Sequence, residues 1–185
     1  AYYDPDTMAI IHYKSQRYFL INCCDPAKCG IDHFATGIKE MAGAEGTWRD
    51  AEDGTLSGNP IAQGSVDSTL GINLRIKAHG ENVAHYWIAA GTKYSEVVKL
   101  NKDIWEKTPE ELIRRTENYW KLWVNKEMFN FHDLPQRFVS FFKRSLLIIR
   151  TQIDNNGAII AANDSDIVQL GRDTYSYMWP RDGAL

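Results

Sequence analysis

The hydrophobic residues of this chain change period near Tyr94, and that change limits the folds open to it. Before it lie Met8–Tyr13, Arg17–Ile21, Ser65–Ile76 and Val83–Ala90. They are short stretches rich in β-branched and aromatic residues, bounded by Gly, Asn, Asp and Lys-Ser turns. That is the pattern of strands, and several in one region predict an antiparallel β-sandwich. The clearest alternation sets Leu70, Ile72, Leu74 and Ile76 against Gly71, Asn73, Arg75 and Lys77, which predicts one face in a core and one toward water.

From Tyr94 to Leu100 onward the spacing is helical. Thr108-Pro109-Glu110-Glu111 has the form of a capping box with proline at the first helical position, so a helix is expected to start there. Its apolar residues Leu112, Ile113, Tyr119, Trp120, Trp123 and Val124 form one stripe, with Arg114, Arg115, Glu117, Lys121 and Lys126 around the rest. At this spacing the aromatic stripe predicts packing ahead of a ligand platform. A second helix is expected after Asp133 as N-cap, with Pro135 in its first turn. Between Phe138 and Ile149 only Ser140, Lys143, Arg144 and Ser145 interrupt the apolar residues. Such a helix is expected to be buried all round, and too little chain follows it to do so.

A 185-residue chain with 44% hydrophobic residues can bury a sizeable core and suits one domain plus part of another. A formal charge of −3 gives no electrostatic reason to expect nucleic acid or an anionic membrane as partner. No apolar run approaches the roughly 18 residues of a membrane span, and the start lacks the regions of a signal peptide. A cytoplasmic location is the expectation, and a mature secreted chain remains an alternative. Cys23, Cys24 and Cys29 crowd one segment near His33. An odd count argues against a disulfide framework. A Cys3His zinc site is the sharper reading, but adjacent cysteines on extended backbone point to opposite faces. An exposed hairpin loop is the expectation.

The run Thr174-Tyr175-Ser176-Tyr177-Met178-Trp179-Pro180-Arg181-Asp182-Gly183 gathers aromatic rings, a guanidinium and a carboxylate. A pyranose lays its C–H faces on such rings and takes bidentate bonds from Arg and Asp. A buried aromatic turn in which Arg181 and Asp182 pair only with each other is the competing reading.

The stretches Thr151–Asp154, Gly157–Asp166 and Arg172–Ala184 resemble the start of the catalytic domain of the glucoamylase family, glycoside hydrolase family 15. Upstream, Phe34-Ala35-Thr36-Gly37, Gly46–Gly54 and Gly58–Ser68 resemble the N-terminal domain of its prokaryotic members, so the likeness covers nearly the whole chain, with a looser fit from Cys23 to Gly30. The resemblance implies a β-sandwich domain over 1–106, a linker helix over 107–132, and over 133–185 the first helix and loop of a truncated (α/α)6 catalytic barrel.

It also implies an inverting, exo-acting α-glucoside hydrolase. A trehalase of the same family is the alternative, and a noncatalytic sandwich module or inactive remnant the alternative of another class. Inversion needs a carboxylic acid and a carboxylate about 6.5–9.5 Å apart. In the family both are glutamates on later barrel loops, so no catalytic residue is expected before Leu185. Asp164 with Asp166, and Asp50, Glu52 and Asp53 beside Arg49, are better read as turn chemistry. What carries over is a sugar-binding wall: Tyr175 and Trp179 against the terminal ring, Arg181 and Asp182 on its distal hydroxyls. Acid–base hydrolysis requires no cofactor, and no metal site is expected. The expected partners are an α-glucoside or oligosaccharide substrate and the rest of the barrel.

Overall fold

The computed structural model describes residues 1–40, 42–127, 129–160 and 178. Two antiparallel sheets and three helices make up its regular structure. The strands are β1 (Tyr2–Asp4), β2 (Ala9–Lys14), β3 (Arg17–Cys24), β4 (His33–Ile38), β5 (Val66–Gly71) and β6 (His85–Gly91); the helices are α1 (Tyr94–Lys107), α2 (Pro109–Val124) and α3 (Gln136–Thr151). One sheet has the order β1-β2-β3-β6, the other is the pair β4-β5. The chain separates into two compact units, residues 1–112 and 113–185, with the boundary inside α2.

In the first unit the alternation of β2 and β3 feeds two cores. Ile11 pairs with Leu20 and Leu20 with Ala89, and this row, with Ala9, meets Val97 of α1. Ile10 pairs with Ile21, and that opposite face joins Cys23, Ile31, Tyr3, Phe34 and Leu70. The four-stranded sheet thus has α1 on one side and the β4-β5 sheet on the other, an arrangement compatible with a sandwich. Tyr3 of β1 stacks on Phe34 of β4 with ring centroids 4.0 Å apart. Ile10, Ile11, Leu20 and Val97 are wholly buried, each contributing roughly 1.5–3 kcal/mol.

Polar side chains fix how α1 lies on the sheet. Asn22 of β3 donates to Asn101 of α1 at 3.2 Å, and the Trp87 indole donates to the same oxygen at 3.0 Å. Tyr94, at the start of α1, donates to the buried carboxylate of Asp4 at 2.6 Å, which also accepts from Thr7 at 2.7 Å. The Asp4 hydrogen bond, with burial adding to it, pushes the Tyr94 phenol far above its ordinary pKa. Glu96 holds the N-terminus of α1 by accepting from the Thr92 amide at 2.9 Å and the Lys93 amide at 3.3 Å, the return half of a capping box.

Several expectations need correction. The strand expected over Ser65–Ile76 stops at Gly71, because β4 begins opposite it at His33. Asp32 then takes over the backbone, accepting from the Asn73 amide at 2.8 Å, and Ile76 is exposed. Cys23 and Cys24 are not in an exposed loop; they end β3, paired with Tyr86 and His85, and both are buried. Asp133 is not the N-cap of α3, whose first residue is Gln136 after an extended Pro135. Near the boundary, α2 does begin at Pro109, with the Thr108 hydroxyl accepting from the Glu111 amide at 3.4 Å. Its apolar stripe is not packed into a core: α2 has no buried residue, and Tyr119, Trp120 and Trp123 stack edge-on along the helix. In the second unit, Val139 is the buried residue of α3, while Phe138, Phe141, Ile148 and Ile149 are exposed.

Candidate functional site

The upstream stretches that carry the resemblance meet along the β4-β5 pair. Thr36 of β4 donates its amide to the Asn59 carbonyl at 3.0 Å and its hydroxyl to the same oxygen at 3.1 Å. Asn59 answers by donating Nδ2 to the Thr36 carbonyl at 2.6 Å. Asp67 of β5 accepts the Thr47 amide at 3.0 and 3.1 Å on its two oxygens, and the Thr47 and Thr69 hydroxyls lie 2.9 Å apart. Gly37 and Gly46 are small for a reason of space. A Cβ on Gly37 would come within 2.9 Å of Thr47, and one on Gly46 within 2.1 Å of Asp67, where φ is also +78°.

Two carboxylates of the acidic run beside Arg49 accept backbone amides of the loop that follows. Asp50 accepts from the Ser57 amide at 2.9 Å and Asp53 from the Thr55 amide at 2.8 Å, while Arg49 pairs with Glu45. The Asp53 bond is the Asx turn that the sequence suggests, whereas the Asp50 bond closes a longer loop seven residues on.

A cleft of about 610 Å³ lies in the first unit, lined among others by His12, Tyr13, Lys14, Phe19, Lys39 and Glu40. His12, on its wall, places Nε2 2.8 Å from Ser68 Oγ, a tie from the four-stranded sheet to β5. Burial is the main cause, and the N-terminal ammonium the second, of a His12 pKa below its ordinary value; Asp67 opposes them. A neutral imidazole beside a hydroxyl is half of a hydrolase nucleophile. Both oxygens of the nearby Asp67 are engaged by the Thr47 amide, however, so the geometry is that of a structural tie. Sequence reasoning missed this pair; a histidine between Ile11 and Tyr13 in an otherwise apolar strand was the available signal.

The cysteines do not gather with His33 around one point. Cys23 packs with Ile10 and Ile31, Cys24 contacts Cys29, and His33 Nε2 lies 2.8 Å from Asn73. Among the described residues no three His, Cys, Asp or Glu side chains are placed to hold a metal ion, and no helix is long and apolar enough to cross a membrane. Tyr175, Trp179, Arg181 and Asp182, the expected sugar wall, and Asp164 and Asp166 lie outside the described residues. No family model, curated protein or solved structure matches the chain.

Proposed function

We propose that this chain is the N-terminal part of an inverting, exo-acting α-glucoside hydrolase of glucoamylase type, releasing glucose from non-reducing ends. The observation that carries the reading is the run Tyr175 to Asp182, with its aromatic pair and its Arg181-Asp182 fork, preceded by the Gly157–Asp166 stretch of the same resemblance. Tyr175 and Trp179 contact the terminal ring; Arg181 and Asp182 hold its distal hydroxyls. Such hydroxyls are free only at a chain end, so a site closed on them rejects internal residues by leaving polar groups unpaired, at about 1–3 kcal/mol each.

The acid and the base are glutamates on barrel loops outside this sequence, and the β-sheet unit serves as the accessory N-terminal domain. Arg181→Ala and Asp182→Ala in the full enzyme test the assignment. Each is expected to lower kcat/KM on maltose or maltotriose by about two orders of magnitude, through a desolvated partner left on the sugar, with thermal unfolding little changed. Near-normal kinetics in either variant returns the two residues to the buried-turn reading. Trehalose in the substrate panel separates the trehalase alternative.

A further inference from the structure

The end of β3 turns back on itself. Gly30 donates its amide to the Cys23 carbonyl at 2.9 Å and Asp25 donates to the Lys28 carbonyl at 2.9 Å. Those two bonds bracket Cys24 and Cys29, which face each other as an antiparallel bridge. A pair bracketed in this way exchanges no hydrogen bonds of its own and is the closer kind, with Cα atoms about 4.5 Å apart. That separation falls within the span of roughly 4.4–6.8 Å that a disulfide bridges. The two side chains are on one face and in contact. Asp25 locks the turn by accepting the Ala27 and Lys28 amides at 2.8 Å each. Cys23 points the other way, into the core with Ile10 and Ile31.

We propose that Cys24 and Cys29 are a dithiol pair that a small disulfide, such as oxidised glutathione, converts to an intrachain disulfide, with Cys23 excluded. The half-buried Cys29 faces a cavity of about 460 Å³ lined also by Lys28, Trp105 and Glu110, through which the reagent reaches it. In the first step the Cys29 thiolate attacks one sulfur of the reagent, the S–S bond breaks, and one glutathione leaves as thiolate and takes up a proton. In the second, the Cys24 thiolate attacks the Cys29 sulfur of the mixed disulfide and expels the second glutathione. The protein loses two electrons and two protons, which the reagent gains as it becomes two thiols. Cys24 is buried and Cys29 half-buried, in keeping with Cys29 reacting first. The chemistry is independent of any glycosidase activity.

The test is disulfide mapping of the folded chain after equilibration with oxidised glutathione, alkylation of free thiols and digestion with trypsin. Cleavage after Arg17, Lys28 and Lys39 puts Cys23 and Cys24 on one peptide and Cys29 on the next. The expected result is a linked peptide pair, two hydrogens lighter than the sum of its parts, with fragmentation placing the alkyl group on Cys23. Cys23→Ser is expected to keep the link, and Cys24→Ser to leave Cys29 glutathionylated. The fragmentation assignment in the unmutated chain stands even where a variant fails to fold. A link through Cys23, a Cys29–glutathione adduct beside alkylated Cys24 in the unmutated chain, or three alkylated cysteines would each overturn the proposal.

Discussion

Asn22 and Asn101, 79 positions apart in sequence, meet with Nδ2 3.2 Å from Oδ1 in a site that excludes water. The Asn22 amide also donates to the Thr7 carbonyl at 3.1 Å, and the Asn101 oxygen is shared with the Trp87 indole. This one acceptor therefore joins β3, β6 and α1. Asn101→Leu removes it and leaves the Trp87 N–H and one Asn22 proton without a partner. Each buried orphan costs about 1–3 kcal/mol, so the variant is expected to lose at least about 2 kcal/mol in urea unfolding. A loss below about 0.5 kcal/mol, the range of ordinary surface changes, would mean that the oxygen does not organise the junction.

Gly46 and Gly54 share nearly the same backbone, φ +78° and +80°, yet only Gly46 faces Asp67. Alanine at Gly54 meets open space and carries only the left-handed penalty of roughly 1–2 kcal/mol. Alanine at Gly46 must also displace the carboxylate that accepts the Thr47 amide, which adds about 1–3 kcal/mol. Equal destabilisation of the two variants by thermal unfolding would show that Asp67 yields without cost.

His12 sets a pH dependence. Its folded pKa is lowered from 6.5, chiefly by burial, so the unfolded chain binds more protons between the lowered value and 6.5. Stability then rises with pH through that window: the contribution is whole above 6.5 and is lost as pH falls toward the folded value. His12→Gln, which retains a hydrogen-bonding group toward Ser68, is expected to flatten the difference in unfolding free energy between pH 7.5 and 5.5. Parallel curves for the two proteins would mean that His12 titrates alike folded and unfolded.

Phe141 of α3 is 70% exposed and Ile148 56%, on a helix with a single buried residue. Apolar surface of that extent recruits dye or other protein. The 185-residue chain is expected to bind a hydrophobic dye or self-associate, and Phe141→Glu with Ile148→Lys to reduce either signal while leaving helical circular dichroism unchanged. A dye-silent monomer, unaltered by the double substitution, would contradict the exposure of this face.

Strands β2, β3 and β6 were readable because they are short runs rich in Ile, Leu, Tyr and Phe bounded by turn residues. Strand β4 was not, since the middle of His33-Phe34-Ala35-Thr36-Gly37-Ile38 is the small run Ala35-Thr36-Gly37, which answers to Thr47 beside Gly37 and Asn59 beside Thr36, residues that only folding brings near. Tyr2–Asp4 is too short to show a period. Helix α1 was legible only as a change of spacing, because it buries one apolar residue, Val97, and one polar residue, Asn101, where a hydrophobic stripe would be sought. Leu74 and Ile76 alternate as a strand does, yet β4 supplies no partner past Gly71. Two adjacent cysteines suggested a loop; their pairing with Tyr86 and His85 depends on residues more than sixty positions away. Asp53, by contrast, behaves as its local sequence indicates, accepting from Thr55 two positions on, because an Asx turn needs only its own neighbours.

The anomer of the released glucose tests the central claim most directly. Proton NMR of the full enzyme acting on maltotriose, followed before mutarotation, is expected to show β-glucose appearing from the non-reducing end, because inversion of an α-glucoside places the new hydroxyl on the opposite face. The same spectra of the Arg181→Ala enzyme are expected to show that signal reduced by about a hundredfold. First appearance of α-glucose, or no glucose from a folded full-length enzyme offered maltose, maltotriose and trehalose, would contradict the account.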